Sequence, residues 1–498
     1  MESLLAGIVQ AFTLQNFIFC LIGVTFGMLV GVLPGLGPCA GTAILLPLTF
    51  GMTPIAAIIM LAGIYYGSMY GGTITSVLIN VPGEAASAIT CLDGYPLAQQ
   101  GRAGVALGVS AIGSFIGGTL ALCGLAFIGP PLAKLALNFG PPEFFALMIF
   151  AMTTVIGLMG KSVLRGLIAA LIGLGLAFIG IDPQAGIMRL TFDVLELQNG
   201  LDFIPIVMGL FGLSEILISV ESDVKAEITT KLQGLFPRRD EWKPTLLAIG
   251  RGTIVGFPLG LIPGSNNVIP TILSYALEKK VAKDSTRFGK GAIEGIAGPE
   301  TANNAYVGAA LIPLFALGIP SSATIAVLLG AFIMHGLQPG PLLFQKSPDF
   351  VWAIITSMFI GNFILLFMNL PMAGLWAKLL LVPYKLMFPI ITAVMMVGSY
   401  SVNNSMFDVG AMIIFGIIGY FFRKTEIPVT PIILTFVLGR IMEDSLLQSL
   451  VIFKGNFFGF FARPISGTIL GLAIIIILAS VWAGIKKKKK DFATDSEI

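Results

Sequence analysis

The stretch Gly256-Phe257-Pro258-Leu259-Gly260-Leu261-Ile262-Pro263-Gly264-Ser265-Asn266-Asn267 breaks a long apolar run with two prolines and a polar tip. Basic clusters flank it: Lys225, Lys231, Arg238, Arg239, Lys243 and Arg251 before, Lys279, Lys280, Lys283, Arg287 and Lys290 after. Positive charge collects in the cytoplasmic loops of membrane proteins. If both clusters are cytoplasmic, the run enters and leaves by one face, and each arm falls short of the roughly 20 apolar residues of one crossing. The spacing predicts a re-entrant hairpin over 245–278. A proline-kinked single crossing with one basic loop outside is the competing reading.

The same device stands earlier in the chain. Gly27-Met28-Leu29-Val30-Gly31-Val32-Leu33-Pro34-Gly35 aligns with Gly256 through Gly264 at a constant offset of 229 residues. A second break follows each hairpin, at Asn80-Val81-Pro82-Gly83-Glu84 and at Gly318-Ile319-Pro320-Ser321-Ser322. One Pro-Gly pair in a membrane helix means little, but paired interruptions in two halves point to a substrate site at a repeat interface. The first hairpin lacks Lys and Arg in its loops, as the external side would require. The expected organisation is a first repeat over 1–220, with a hairpin near 21–49 and a broken helix near 54–92. A cytoplasmic basic loop over 221–244 follows, then an inverted second repeat over 245–485 with its broken helix near 304–335, and a cytoplasmic tail over 486–498.

Composition supports a membrane setting throughout. The 498 residues are 56% hydrophobic and 11% charged, against about 25% charged in soluble proteins. The net charge of +3 is outweighed by the five lysines Lys486–Lys490 alone, so nothing suggests a nucleic-acid-binding face. The tail lysines place the C-terminus inside, with attraction to lipid headgroups as a secondary role. No Lys or Arg precedes Arg102, which reads as a first membrane segment rather than a cleaved signal peptide. The fold class expected is an all-α integral membrane protein of about 12 transmembrane helices plus re-entrant hairpins.

Non-helical backbone survives at membrane depth only where protein buries it or it lines a cavity. The candidate substrate contacts are therefore Pro34, Gly35, Leu36, Gly37, Thr42, Asn80, Pro82, Gly83, Pro263, Gly264, Ser265, Asn266, Asn267, Pro320, Ser321 and Ser322, with Thr324 close by. Half-helix N-termini offer N–H groups to an anion, and unwound carbonyls with amides and hydroxyls suit Na⁺. No Lys or Arg occurs over 1–101 or 291–345, so walls built from those stretches have no side-chain cation for an anion. Coupling to Na⁺ or H⁺ is the expectation, with no other cofactor or metal. Close packing of small residues is the bland alternative for the glycines, serines and threonines.

Among carboxylates in apolar surroundings, Glu84 and Glu300 follow Pro-Gly and Pro, so each reads either as a first-turn helix cap or as a cation-coupling group, with Asn303 and Asn304 at the start of the second long helix. Asp93 and Glu294 read as interface residues, and Tyr65, Tyr66 and Tyr306 as site residues or interface anchors. Enzyme signatures fail. His335 is the one histidine, Gly160-Lys161-Ser162 lacks the first P-loop glycine, and Cys20, Cys39, Cys91 and Cys123 are spaced like packing residues.

These motifs together resemble the large membrane subunit of tripartite tricarboxylate transporters, over nearly the whole chain. Carrying the likeness are Gly31 to Pro38, Tyr66 to Gly72 with Val81-Pro82-Gly83-Glu84, Glu294 to Asn304, Leu317 to Pro320 and His335 to Pro341. The segment Ala297-Gly298-Pro299-Glu300-Thr301 departs from the alanine-rich version expected there. The resemblance implies a bacterial inner-membrane protein working with a small membrane subunit of about four helices and a periplasmic solute-binding protein. It also implies cation-coupled uptake of citrate-like carboxylates and an elevator-type architecture. A passive anion channel and an intramembrane enzyme are the alternatives.

Overall fold

The computed structural model describes residues 2–33, 35–159, 162–182, 186–221, 234–379 and 384–495. Pro34, Gly160, Lys161, Lys225 and Lys231 lie outside them. Among the described residues the secondary structure is helical, apart from one small antiparallel pair, β1 (Gly180–Ile181) with β2 (Met188–Arg189).

The first half runs through α1 (Glu2–Ala11), α2 (Leu14–Val32), α3 (Gly37–Leu45), α4 (Pro54–Ile79), α5 (Cys91–Leu97) and α6 (Ala103–Ala136). Then come α7 (Pro141–Met159), α8 (Val163–Ala177), α9 (Phe203–Val207) and α10 (Ser214–Glu221). The second half opens with α11 (Trp242–Gly260), α12 (Val268–Val281), α13 (Glu294–Leu317), α14 (Ala323–Met334), α15 (Pro341–Lys346) and α16 (Pro348–Asn369). It closes with α17 (Ala373–Leu379), α18 (Tyr384–Asn403), α19 (Met406–Lys424), α20 (Val429–Ile452), α21 (Gly459–Ala462) and α22 (Pro464–Asp495). Six helices among the described residues are long and apolar enough to cross a membrane. The protein is an all-α membrane protein.

Two helix pairs form the centre, and both are seams of glycine. Gly23, Gly27 and Gly31 of α2 meet Gly63, Gly67 and Gly71 of α4, and a Cβ built on Gly67 would lie 3.1 Å from the Gly27 Cα. In α11 the glycines at 252, 256 and 260 meet α13 at Gly298, Ala302 and Tyr306. A stripe of small residues lets backbones touch and gains dispersion contact where lipid offers no hydrophobic drive. Around this centre α6 packs on α13 and α16 on α4, while α14 lies on α3 and the 3₁₀ turn 85–88 lies on α12. A second group, α7, α8, α20 and α22, packs mainly on itself.

Each hairpin is a helix, a tight tip and a helix folded back. The arms α11 and α12 are clasped by Arg251, whose Nε donates to Glu278 Oε1 at 2.7 Å and whose terminal nitrogen donates to Oε2 at 2.5 Å. Glu278 is 1% exposed, so removing its partner strands a buried charge, a loss of roughly 3–5 kcal/mol. Arg251→Met is therefore expected to lower the thermal unfolding midpoint of the solubilised protein by several degrees, and adding Glu278→Leu should restore most of it. A double variant no better than the single one would show that the clasp is not what holds the arms.

The second long helix begins earlier than the sequence reading has it, whereas α4 starts at Pro54 as expected. Helix α13 starts at Glu294, not near 304, because a proline in its second turn costs one ladder bond that surrounding helices absorb. Glu300, Asn303 and Asn304 are thus interior to the helix, and neither the cap reading of Glu300 nor the helix-start reading of the asparagines holds. The first arms α2 and α11 each have 19 residues.

The basic face is tied together by the loops. Arg102, ahead of α6, makes paired bonds of 2.8 and 2.6 Å to Glu241 at the head of α11. Partial burial raises the Glu241 carboxyl, but Arg102 and the Arg238 amide outweigh it and hold it below its ordinary value. Asp93 is fully buried and accepts the N–H groups of Gly289, Gly291 and Ala292, each at 2.8 Å, with the Tyr275 hydroxyl at 2.9 Å. It anchors the entry to α13. Glu294 pairs with the exposed Arg287 at 2.9 Å.

Candidate functional site

Helices α4 and α13 end the same way. Asn80 closes α4 in the left-handed region at φ 57°, and Gly318 closes α13 at φ 72°. Asparagine and glycine are the residues that tolerate this cap. The chain then runs unwound for a few residues and restarts, at Ala85 in the first half and at Ala323 in the second. Ser322 caps the restart, its hydroxyl accepting from the Ile325 N–H at 3.3 Å.

Both breaks and both hairpin tips line one cavity of about 430 Å³. The first tip contributes Gly35, Leu36 and Gly37, the first break Pro82, Gly83 and Glu84, the second tip Asn266 and Asn267, and the second break Ser322 and Thr324. Three helices begin here: α3 at Gly37, with no side-chain cap, α12 at Val268 and α14 at Ala323. Helix N-termini carry unpaired N–H groups and about half a positive charge each. The convergence favours an anion.

Glu84 joins the two halves. Its carboxylate is 5% exposed and accepts from the Ala86 N–H at 2.9 Å, the Asn303 amide at 3.1 Å and the Asn267 amide at 3.2 Å. The Asn267 amide also lies 3.2 Å from Asn303 Oδ1. No Lys or Arg among the described residues bonds this carboxylate. Glu300 sits apart from the cavity, its carboxylate accepting from the Thr73 hydroxyl at 2.7 Å and from Thr90. Asn304 donates to Ser114 Oγ at 2.8 Å and back to the Glu300 carbonyl.

Several candidates spend their polar groups elsewhere. Thr42 is buried one turn into α3, its hydroxyl on the Pro38 carbonyl at 2.8 Å. Asn80 serves as a helix cap. Pro263, Gly264 and Ser265 lie behind the tip: Gly264 abuts Ala151 and Val155 of α7, and Ser265 Oγ lies 2.9 Å from the Ile262 carbonyl and 3.1 Å from the Tyr306 hydroxyl. Pro320 is absent from the lining, and Ser321 donates to the Ala310 carbonyl at 2.9 Å. Asn266 faces the cavity, yet its Oδ1 also takes the N–H groups of Val268 and Ile269. Tyr65 and Tyr306 are buried cavity walls and Tyr66 is buried beside them, so none is an interface anchor. The His335 Nε2 rests 3.3 Å from Thr49 Oγ1 at the far end of α14.

The opposite wall comes from helices outside the four breaks: Phe211, Glu215 of α10, Arg423 of α19 and Pro428, Val429 and Thr430 leading into α20. Sequence reasoning passes over these residues. Glu215, a carboxylate in the apolar run 201–220, is the signal available for them. A larger cavity of about 660 Å³ lies toward the other end of α14 and the middle of α20, lined by Asp202, Phe203, Met334, Asn403, Asp408 and Arg440. It gathers none of the four breaks.

The sequence matches the tripartite tricarboxylate transporter TctA family over residues 17–434. It is 42% identical, over 98% of its own length and 97% of the relative's, to a 52.8 kDa protein described as lying in the TAR-I ttuC' 3' region of Agrobacterium vitis. A second Agrobacterium vitis protein, described as lying in the TAR-II ttuC' 3' region, is 42% identical over 47% of this chain and 97% of that protein. No solved structure matches. With its apolar spans, and with a family match running from α2 into α20, the chain belongs to the tripartite tricarboxylate transporter TctA family.

Proposed function

We propose that this chain is the large subunit of a secondary transporter that imports tricarboxylates or related carboxylates by cation-coupled alternating access. The observation that carries the reading is the meeting of four chain breaks, distant in sequence, around one cavity into which three helix N-termini open. The two halves act as inverted repeats, and the hairpins and broken helices move as a unit against α7, α8, α10, α19 and α20, in an elevator manner. Glu84 with Asn267 and Asn303 takes the coupling ion, Na⁺ or H⁺, and Glu300 below it is a second carboxylate for the same task. The tripartite family name implies a small membrane subunit and a periplasmic binding protein as partners. Their site of action is the bacterial inner membrane, with the C-terminus in the cytoplasm.

The cavity lies toward the basic face. Glu215 is six residues from Glu221 along a helix, about 9 Å at 1.5 Å per residue, and Arg423 is next to the last residue of α19. The conformation is therefore read as inward-facing, with the larger cavity as the external vestibule and Ile432, Ile433 and Met412, all buried, among the residues closing the path between.

Uptake of radiolabelled citrate into proteoliposomes holding all three components tests this. Accumulation above the outside concentration, driven by a Na⁺ or proton gradient, is the expected result. Equilibration that ignores both gradients would make the protein a channel instead. Asn266→Ala should raise KM several-fold, since it loosens a helix N-terminus worth about 1 kcal/mol in capping, without loss of membrane insertion.

A further inference from the structure

We propose that Arg423 is the side-chain cation that meets a carboxylate group of the transported anion, with Glu215 as its resting counter-ion. This rests on the reading of the 430 Å³ cavity as the anion site.

Arg423 is the one Lys or Arg lining that cavity among the described residues. Its guanidinium is paired with Glu215 across α10 and α19, at side-chain exposures of 30% and 13%. The pair engages a terminal nitrogen, and Arg423 Nε is buried and has no hydrogen-bond partner among the described residues. Folded proteins rarely strand a buried donor, and a carboxylate is the acceptor that fits the guanidinium fork, taking two parallel N–H groups at once.

A second observation ties the pair to the moving parts. A Cβ on Gly35 would lie 3.1 Å from Glu215 Oε1 and 2.8 Å from Ser219 Oγ, so the first hairpin tip rests directly against the pair. The cavity lining carries two carboxylates, Glu84 and Glu215, against this single cation. In the empty cavity Glu215 neutralises Arg423, so no free cation stands there to trap an anion. On binding, the substrate carboxylate takes the spare Nε–H together with a terminal N–H, and Glu215 keeps the other side of the fork. Lysine, a point charge with no fork, fills this role only in part.

The test uses the solubilised full-length chain with Cys20, Cys39, Cys91 and Cys123 replaced and Ala85→Cys as reporter, Ala85 being an exposed residue of the cavity lining. Labelling rates with anionic and cationic methanethiosulfonates give a ratio that reads the local potential. One charge at roughly 10 Å and an effective dielectric of about 20 changes each labelling rate by more than about tenfold, in opposite directions for the two reagents. Arg423→Gln should therefore lower the anionic-to-cationic ratio about a hundredfold or more, and Glu215→Gln should raise it by a similar factor. A rise in the second variant cannot come from misfolding. With a neutral reagent, a mixture of citrate, tartrate and succinate should protect the parent and Glu215→Gln, fail to protect Arg423→Gln, and protect Arg423→Lys weakly. Equal protection of the parent and Arg423→Gln, or a ratio that moves less than twofold in both charge variants, overturns the proposal while leaving the cavity reading in place. No protection of the parent by any of the three overturns the cavity reading itself, and the proposal with it.

Discussion

Replacing Glu84 by Gln should abolish the cation dependence of uptake while leaving a folded, membrane-inserted protein. The carboxylate is buried at the cavity and has two amide donors and one backbone N–H, but no bonded Lys or Arg among the described residues. A charge so placed is costly in the bilayer unless a proton or metal cation joins it. Glutamine keeps the length, and its oxygen can still accept from Ala86, but its charge no longer changes when a cation arrives. Coupling free energies between sites run to about 1–3 kcal/mol, or roughly 5–150-fold in affinity. That whole factor should vanish in Glu84→Gln. Citrate uptake measured against Na⁺ concentration and against pH reads it directly: the parent should rise along one of the two axes and the variant should be flat along both. A variant with the parent's full cation stimulation would move the coupling site elsewhere, with Glu300 next in line.

The second large effect is on assembly. Gly256→Leu should eliminate monodisperse protein from detergent extracts, whereas Gly250→Leu on the same helix should be tolerated. A Cβ at 256 would fall 2.8 Å from the Ala302 carbonyl carbon and Cα, which are backbone atoms with nowhere to go. At 250 it would meet nothing within 4 Å. Overpacking that forces a backbone shift costs about 1–3 kcal/mol even in forgiving sites, and a leucine wedged into a backbone seam belongs in the tail above about 4 kcal/mol. Size-exclusion profiles of the two variants, side by side, decide it. Equal profiles would mean that α11 and α13 are not pressed together at this glycine.

Much of the site was legible because a Pro-Gly break acts locally. Proline removes a donor and glycine frees the backbone, so positions 82–83 and 318–320 point to an unwound segment from local chemistry alone. The tips at 35–37 and 266–267 were legible for the same reason. What a polar side chain does at a break was not. Thr42 and Asn80 look like ligand groups in sequence, yet one is spent on the Pro38 carbonyl and the other on ending a helix. Pro299 resembles a helix start but sits in the second turn of α13, which moves Glu300, Asn303 and Asn304 inward. As a result Glu84 and Glu300, alike in sequence, have different surroundings: one borders the cavity and the other is closed in among threonines.

The far wall was illegible for another reason. Arg423 and Glu215 are separated by two hundred residues and meet only because α10 and α19 pack together. The stretches 1–101 and 291–345 hold no Lys or Arg, and the cation that lines the cavity comes from a part of the chain with no break to mark it.

The glycine seams bear on how force passes through the protein. Where helices meet through side chains, a push at one end is partly absorbed by rotamers that swing and re-pack. Between α2 and α4, and between α11 and α13, the contact is main chain on main chain, and there is little slack to take up. Each seam is a stiff strut running from a hairpin arm to the helix that ends at a break. Under the proposed mechanism, a change in charge at Glu84 would be delivered to both hairpin tips with small mechanical loss, as in a linkage without play.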